Sequence, residues 1–246
     1  EKPFLLNTKK SQTQCDLAFA NNKQLVIDHT YLIHGAVAAG KSAIPSIGSP
    51  RYGYATRTHL GPVRRDVDAL WDLAIHDISI FNHWLDESPV QVQAQSRSWL
   101  QPNITTPLSP NGLADVVWCR LQYPSGFQAT IHLCWANPDK QRRLCVVGDQ
   151  GTLIFDEMNP AAPLTKHCGD FAEEHGWFTP QNLATETLSI PKTEPLKNVC
   201  EHFITCIRQN NPSAVSSGQV ATDLVAVLTA HSASMDAGEK WVTVAY

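Results

Sequence analysis

Apolar residues recur at helical spacing between residues 66 and 85. They occupy positions 67, 70, 71, 74, 75, 78, 81 and 85, and Leu73, Ile80 and Trp84 widen the same face. Asp66 stands where a helix N-cap is expected, and the acidic residue that follows it in the first turn suits the helix dipole. The pattern therefore predicts a largely buried helix of about five turns.

Polar residues form a stripe along this helix, stepping by three or four positions. The stripe consists of Asp68, Asp72, His76, Ser79 and His83. Asp72 and His76 could form an internally satisfied ion pair, because an unpaired buried charge is costly. Alternatively, Asp72 orients the His76 imidazole and tunes its pKa, which leaves the second ring nitrogen free for acid–base chemistry. Spacing alone weighs the two interpretations evenly.

The N-terminal part of the chain predicts a βαβ unit. A short extended piece leads into a helix over residues 8–20, and the apolar core of residues 24–32 predicts a strand buried on both faces. These elements would form the last unit of a parallel sheet. Residues 35–50 are rich in glycine and proline, with one helical turn near residues 36–41, and are interpreted as the connection to a second domain.

Strands dominate the rest of the chain, and two helices follow them. Strands are predicted at residues 51–59, 90–100, 114–123, 127–135, 142–147, 152–156, 164–167, 185–190 and 241–246, and helices at 195–209 and 216–237. Residues 157–183 are interpreted as a long surface loop. Successive hairpins backed by helices indicate an α+β fold with a mainly antiparallel open sheet, preceded by the last βαβ remnant of an α/β domain.

Composition narrows the function classes. The 246 residues are 43% hydrophobic and 17% charged, with a formal net charge of −4, which argues against a nucleic-acid partner. No apolar run approaches the roughly 18 residues of a membrane span. The seven cysteines include no C-x-x-C pair, so we expect reduced thiols, no metal site and a cytoplasmic protein.

Two further regions hold candidate binding residues. The segment 135–143 concentrates positive charge; it is either a solvated connection or a site for an anionic substrate group, to which Lys140 and Arg142 could donate. His29 flanks the end of the predicted strand 24–32 and could point either into the sheet or toward a cleft.

Three stretches resemble the Gfo/Idh/MocA family of NAD(P)-dependent oxidoreductases. Glu1-Lys2-Pro3 is similar to the family's E-K-P, which follows a late Rossmann strand, and the segment 72–77 is similar to its D-x-x-x-H-D helix. The order of strands and helices after residue 50 also resembles the family's C-terminal domain. Within the family, the segments 65–77 and 138–142 look most like the branch that acts on nucleotide-linked sugars.

The resemblance implies a domain division and a reaction. Residues 1–35 would be the C-terminal remnant of a Rossmann NAD(P)-binding domain, and residues 36–246 a substrate-binding and oligomerisation domain of a homo-oligomer. The reaction would be hydride transfer between NAD or NADP and a secondary alcohol of a sugar or nucleotide-linked sugar.

The resemblance also implies roles for individual residues. His76 would act as general base with Asp72 orienting it, and Lys2 would stabilise the developing alkoxide. The cofactor would contact Glu1, Lys2 and Pro3, and the substrate would contact His29, Lys140 and Arg142.

One part of the family pattern is missing from these residues. No G-x-G-x-x-G loop, which binds the diphosphate of a dinucleotide, occurs in the sequence. We therefore expect an N-terminally truncated family member that binds dinucleotide poorly by itself. The alternative function is a non-catalytic sugar-binding or dimerisation module derived from the same family.

Overall fold

Strand β1 (Pro50–Leu60) lies inside a nine-stranded sheet in the computed structural model, which describes residues 2–190 and 194–246. The strand order is β8-β7-β6-β5-β1-β4-β3-β2-β9. The β1–β4 pair is parallel, with Tyr52 opposite Gln128, and the other neighbouring strands are antiparallel. The predicted α+β class with a mainly antiparallel sheet is thus confirmed.

The strands that follow β1 are β2 (Gln91–Arg97), β3 (Val116–Gln122), β4 (Gln128–Cys134), β5 (Ala136–Gly148), β6 (Thr152–Asp156), β7 (Leu164–Glu174), β8 (Trp177–Thr187) and β9 (Val242–Thr243). The helices are α1 (Thr8–Ala20), α2 (Gly35–Ala43), α3 (Ile75–Leu85), α4 (Pro195–Gln209) and α5 (Gly218–Asp236). Short 3₁₀ turns cover Thr30–Ile33 and Ile44–Ile47.

The inner face of the sheet packs against α3 and α5. Gly53, Ala55 and Arg57 alternate along β1 toward this face, and all three are buried. A parallel neighbour such as β4 requires a crossover, which the chain makes through α3 before it forms β2, β3 and β4. The path therefore holds α3 against the strand that carries Arg57.

The helix predicted from residue 66 starts later than expected and is not uniform. Its first turn, Leu70–Ala74, is a π-helical turn, and α3 continues from Ile75. Asp66 does not cap it, because Arg64 holds that carboxylate at the surface, with Arg64 Nε 2.9 Å from Asp66 Oδ1. The buried Asp68 carboxylate accepts instead from the Trp71 backbone N–H at 3.2 Å.

Residues 24–32 do not form the predicted strand. Val26 makes one isolated antiparallel bridge with Ser217, and the 3₁₀ turn Thr30–Ile33 follows. A strand requires hydrogen-bonding neighbours along its length, and the described residues offer this segment only the bridge at Ser217. The predicted βαβ unit is therefore not closed within the part of the chain that the structure describes.

The long loop predicted for residues 157–183 is wrong over most of its length. β7 and β8 form a hairpin whose turn lies at His175 and Gly176, and every residue of β8 is exposed. Because the hairpin has no buried face there, its sequence lacks the apolar alternation by which strands are recognised.

Three fully buried tryptophans tie the layers together. The indole N–H of Trp71 donates to Ser232 on α5, that of Trp84 to the Val37 carbonyl on α2, and that of Trp135 to the buried Asp115 carboxylate. No helix within the described ranges is long and apolar enough to cross a membrane.

Candidate active site

Lys2 and Asp72 meet at the start of the central helix. The Lys2 ammonium donates to the Asp72 carbonyl at 2.9 Å and lies 3.3 Å from the Asp72 carboxylate. Arg64 lies 3.5 Å from the same carboxylate oxygen, and the side chains of Lys2 and Asp72 are 23% and 17% exposed. The structure therefore joins two residues that are 70 positions apart, both of which were predicted to be catalytic.

His76 lies one turn farther along the helix, in the first turn of α3. Its ring packs edge-to-face on Tyr31, with the centroids 4.8 Å apart. The pKa of His76 is held well below its ordinary value, because burial and the charges of Arg57, Lys2, His29 and Arg142 disfavour the imidazolium. The imidazole is therefore neutral near pH 7.

The sequence suggested that Asp72 orients His76, and the contacts of Asp72 are with other side chains. The hydrogen bonds of the described residues include none between the two side chains, and the Asp72 carboxylate faces Lys2 and Arg64. This arrangement follows from the π-helical turn, which breaks the regular four-residue spacing between positions 72 and 76.

A buried ion pair lies behind the site. Arg57 donates from Nε and Nη2 to the two Asp77 carboxylate oxygens at 2.8 and 3.0 Å, and both side chains are at most 4% exposed. Such a two-point contact fixes the guanidinium plane. Burial acts against the charged form of Arg57, but Asp77 and Tyr31 outweigh it and raise the guanidinium pKa.

Arg142 is engaged by a carboxylate of its own. Its Nη1 lies 2.8 Å from Glu157 Oε1, and the Glu157 carboxylate also accepts from the Tyr31 hydroxyl. Arg57 and Arg142 stand opposite each other on β1 and β5, so their two acids offset a repulsion between like charges. Arg142, a predicted substrate contact, thus already has a protein partner.

His29 lies inside the protein, with 3% of its surface exposed. Neither of its ring nitrogens has a hydrogen-bond partner among the described residues. Burial lowers the pKa of His29 to about 4, and Asp28 only partly opposes that shift. Of the two orientations considered from sequence, the inward one is observed.

The remaining predicted site residues are Lys140, Pro3 and Glu1. Lys140 is exposed on β5, and Pro3 follows Lys2 at the start of the described chain. Glu1 lies outside the described residues. No group of three or more histidine, cysteine or acidic side chains within the described ranges could hold a metal ion.

Sequence reasoning missed Tyr31, Arg57 and Glu157. The sequence held an indication only for Arg57: it stands on the same face of β1 as Gly53 and Ala55, so alternation along the strand predicts that its side chain points inward. Tyr31 and Glu157 are 126 residues apart, and no pattern along the chain indicates their contact.

A separate cavity of about 230 Å³ lies near the C-terminal end of α3. It is lined by residues that include Asn82, His83, Asp86 and Asp223, and by none of Lys2, Asp72 and His76. The catalytic candidates therefore belong to a different part of the surface from this open pocket.

Comparison with known proteins identifies the architecture. Residues 47–154 match the family model of the GFO/IDH/MocA C-terminal domain. A comparison with curated proteins gave no match.

Several solved structures share the fold. UDP-N-acetylglucosamine 3-dehydrogenase from Acidithiobacillus ferrooxidans has a TM-score of 0.80 at 21% identity, over 96% of this chain and 70% of that chain. A protein described as an oxidoreductase from Magnetospirillum magnetotacticum has a TM-score of 0.75 at 25% identity, over 94% and 70%. An inositol dehydrogenase homologue from Azotobacter vinelandii, complexed with NADH and myo-inositol, has a TM-score of 0.74 at 14% identity, over 98% and 70%.

These matches confirm the resemblance inferred from sequence. Residues 47–154 form a C-terminal domain of the GFO/IDH/MocA type, and the chain shares its fold with solved oxidoreductase structures.

Proposed function

We propose that this chain forms the substrate side of an NAD(P)-dependent oxidoreductase that acts on a secondary alcohol of a sugar or nucleotide-linked sugar. The observation that carries the proposal is the Lys2 ammonium, 3.3 Å from Asp72 on the helix that also presents the neutral His76 imidazole. Two structures with this fold support the substrate class, one named a UDP-N-acetylglucosamine 3-dehydrogenase and one an inositol dehydrogenase homologue.

The arrangement can remove a proton from an alcohol. A neutral imidazole has a free lone pair, so His76 can accept the hydroxyl proton at a ring nitrogen as the alcohol is oxidised. Lys2 places a positive charge beside the oxygen on which negative charge develops. Asp72 holds that ammonium in place, which is the role that the observed contacts favour over the orientation of His76.

The nicotinamide group supplies the hydride acceptor when it is bound. The described residues do not fit the diphosphate of such a cofactor. The first turns of α1, α2 and α5 are already capped by Asn7, His34 and Ser217, and the N-cap of α4 is the acidic Glu194, which would repel a diphosphate. The 246 residues contain no glycine-rich loop to replace them.

We propose that residues 1–35 are the C-terminal remnant of a Rossmann NAD(P)-binding domain, and that Glu1, Lys2 and Pro3 approach its cofactor. The apolar side chains on this part of the chain support this proposal: Leu17 on α1 is 56% exposed and Phe19 is 88% exposed. The matched structures extend beyond the aligned region, which covers 70% of their chains.

For the substrate, we propose that Lys140 meets an anionic group such as a phosphate. Its exposure and its position on β5 next to the Arg142 region support this role. Arg142, which is paired with Glu157, would add positive charge to the substrate site, and the buried His29 would form part of the inner surface of that site.

Residues 36–246 are proposed to form a homo-oligomer through the outer face of the sheet. That face exposes Tyr52, Trp118 and Trp241, with Trp118 stacked on His132 at 5.7 Å and the Arg120 guanidinium 5.2 Å from the Trp241 ring.

The test uses the complete encoded polypeptide with NAD⁺ and NADP⁺ and a panel of sugars and nucleotide sugars. Formation of reduced nicotinamide is followed by absorbance. His76→Gln should lower kcat by about 10²–10⁴-fold, the range for loss of a general base, without weakening cofactor binding. His83→Gln, on the same helix but away from Lys2, is the matched control.

Two outcomes would contradict the proposal. Full turnover by His76→Gln would make His76 structural. Saturable sugar binding without turnover by the wild-type polypeptide would favour the non-catalytic module.

A further inference from the structure

Four charged groups converge around one tyrosine hydroxyl. Tyr31 Oη accepts from Arg57 Nη1 at 3.1 Å and from Arg142 Nη1 at 3.4 Å, and it donates to the Glu157 carboxylate. Asp77 completes the set by holding Arg57 from behind. The three groups that touch the hydroxyl come from three different strands or turns, so its position is fixed from several directions.

The proton on this hydroxyl is needed for its contact with Glu157. In addition to the Arg57–Asp77 and Arg142–Glu157 pairs, a neutral phenol donates to Glu157 and accepts from both guanidinium groups at once. Burial raises the pKa of Tyr31, which keeps the phenol protonated at neutral pH.

The opposite side of Tyr31 contacts His76. The rings meet at 60° with centroids 4.8 Å apart, and the Arg57 guanidinium lies 4.8 Å from the Tyr31 ring centroid. The hydrogen bonds of the described residues include none to the His76 ring. The Tyr31 ring is therefore a direct restraint on the direction of the imidazole, and its own direction is set at the hydroxyl end.

We infer that Tyr31 is a positioning residue for His76, and that Arg57, Glu157 and Arg142 act on the imidazole by fixing the Tyr31 hydroxyl. The catalytic meaning of this inference rests on the proposed function, whereas the structural coupling does not. It also gives Arg142 a role other than direct contact with the substrate.

The decisive variant is Tyr31→Phe, which keeps the ring and removes only the hydroxyl. Without its hydrogen bonds the ring is free to swing, and the half-buried imidazole becomes more exposed to water. We expect the midpoint of the His76 titration, followed by NMR of the histidine-labelled chain, to rise by about half to one pH unit toward its ordinary value. The His76 signal is identified as the one lost in His76→Gln.

Two further variants serve as comparisons: Tyr31→Leu removes more than the hydroxyl, and Tyr52→Phe is the control. Tyr31→Leu removes the ring and should raise the midpoint at least as far as Tyr31→Phe does. Tyr52→Phe removes an exposed hydroxyl from the outer face of β1 and should leave the midpoint unchanged.

A second arm tests the path through Glu157. Glu157→Ala also leaves Arg142 without its carboxylate, which by itself would lower the pKa of His76, so a rise of the His76 midpoint in this variant reports release of the Tyr31 hydroxyl. The double variant with Tyr31→Phe should then shift the midpoint little further than Tyr31→Phe, since both changes release the same hydroxyl. Additive shifts would show that Glu157 acts on His76 independently of Tyr31.

The inference is overturned if Tyr31→Phe leaves the His76 titration where it is, even if the variant is less stable. Loss of the proposed function would look different. In that case the titration would move as expected, while His76→Gln would retain full turnover in the complete polypeptide.

Discussion

Two histidines in the interior, His29 and His231, are kept neutral by their surroundings. Burial lowers the pKa of each to about 4 from the ordinary 6.5. His231 is fully buried on α5, where one ring nitrogen bonds to the Val227 carbonyl and the other has no partner among the described residues. Burial shifts the pKa of Asp68 in the opposite direction, raising it to about 6.

These shifts give the protein a dependence on pH. Between pH 6.5 and pH 4 the unfolded chain binds protons at both histidines and the folded chain does not, so acid lowers the free energy of unfolding. Asp68 partly offsets this, because the folded state binds its proton more readily over a similar range. The pKa of His76 is lowered in the same way, whereas the only other carboxyl with a raised pKa among the described residues is that of Asp223, so we expect a net loss of stability on going from pH 7 to pH 5.

His231→Gln tests the histidine contribution. Urea unfolding at pH 7 and pH 5 should show that the variant loses less stability in acid than the wild type, by on the order of 1 kcal/mol. His167→Gln, at an exposed position of β7, should keep the wild-type dependence. Equal acid sensitivity in His231→Gln and the wild type would contradict the lowered pKa of His231.

At the scale of elements, the approach of α3 to β1 depends on one glycine. A Cβ at Gly53 would lie 2.6 Å from Phe81 Cε1 on α3, 2.8 Å from Phe127 Cζ and 2.9 Å from the Cys145 carbonyl oxygen. The carbonyl belongs to β5 and cannot move without breaking the sheet register. Gly53 therefore sets the distance between the helix that carries His76 and the strand that carries Arg57.

Gly53→Ala should destabilise the protein by about 1–3 kcal/mol through overpacking, measured by thermal or urea unfolding. Adding Phe127→Leu should recover part of that loss by clearing one of the three contacts. If Gly53→Ala is as stable as the wild type, the two layers are not in close contact at this point.

How well the sequence predicts an element depends on what stabilises that element. The bounds of α1 match the prediction because its cap is local: Asn7 accepts from the Lys10 backbone N–H. The strand at residues 24–32 failed because a strand depends on a partner elsewhere. The β7–β8 hairpin was missed because it buries no face.

The candidate site likewise has a part that the sequence predicts and a part that it does not. Lys2, Asp72 and His76 came from the resemblance of short motifs, and the structure brings Lys2 and Asp72 into contact. The group around Tyr31 was not predictable, because its contacts join positions up to 126 residues apart through the register of β1 and β5.

At the scale of the whole molecule, the outer sheet face tests the proposed assembly. Trp118→Glu places a charge on β3 within that face and should shift a homo-oligomer toward monomer in sedimentation velocity experiments. Met158→Glu is the control, since Met158 is 43% exposed and Trp118 is 42% exposed. A monomeric wild type, or equal behaviour of both variants, would contradict assembly through this face.

The π-helical turn at Leu70–Ala74 separates two tasks that one helix performs. Relative to a regular α-helix, such a turn accommodates one extra residue, and each residue of an α-helix rotates the side chains by about 100°. The residues that follow the turn are anchored in the core by Ile75, Ile78 and Phe81, while Asp72, within the turn itself, faces Lys2. A deletion of one residue within this turn would therefore rotate Asp72 away from Lys2, while the packing of Ile75, Ile78 and Phe81 behind it stays in place.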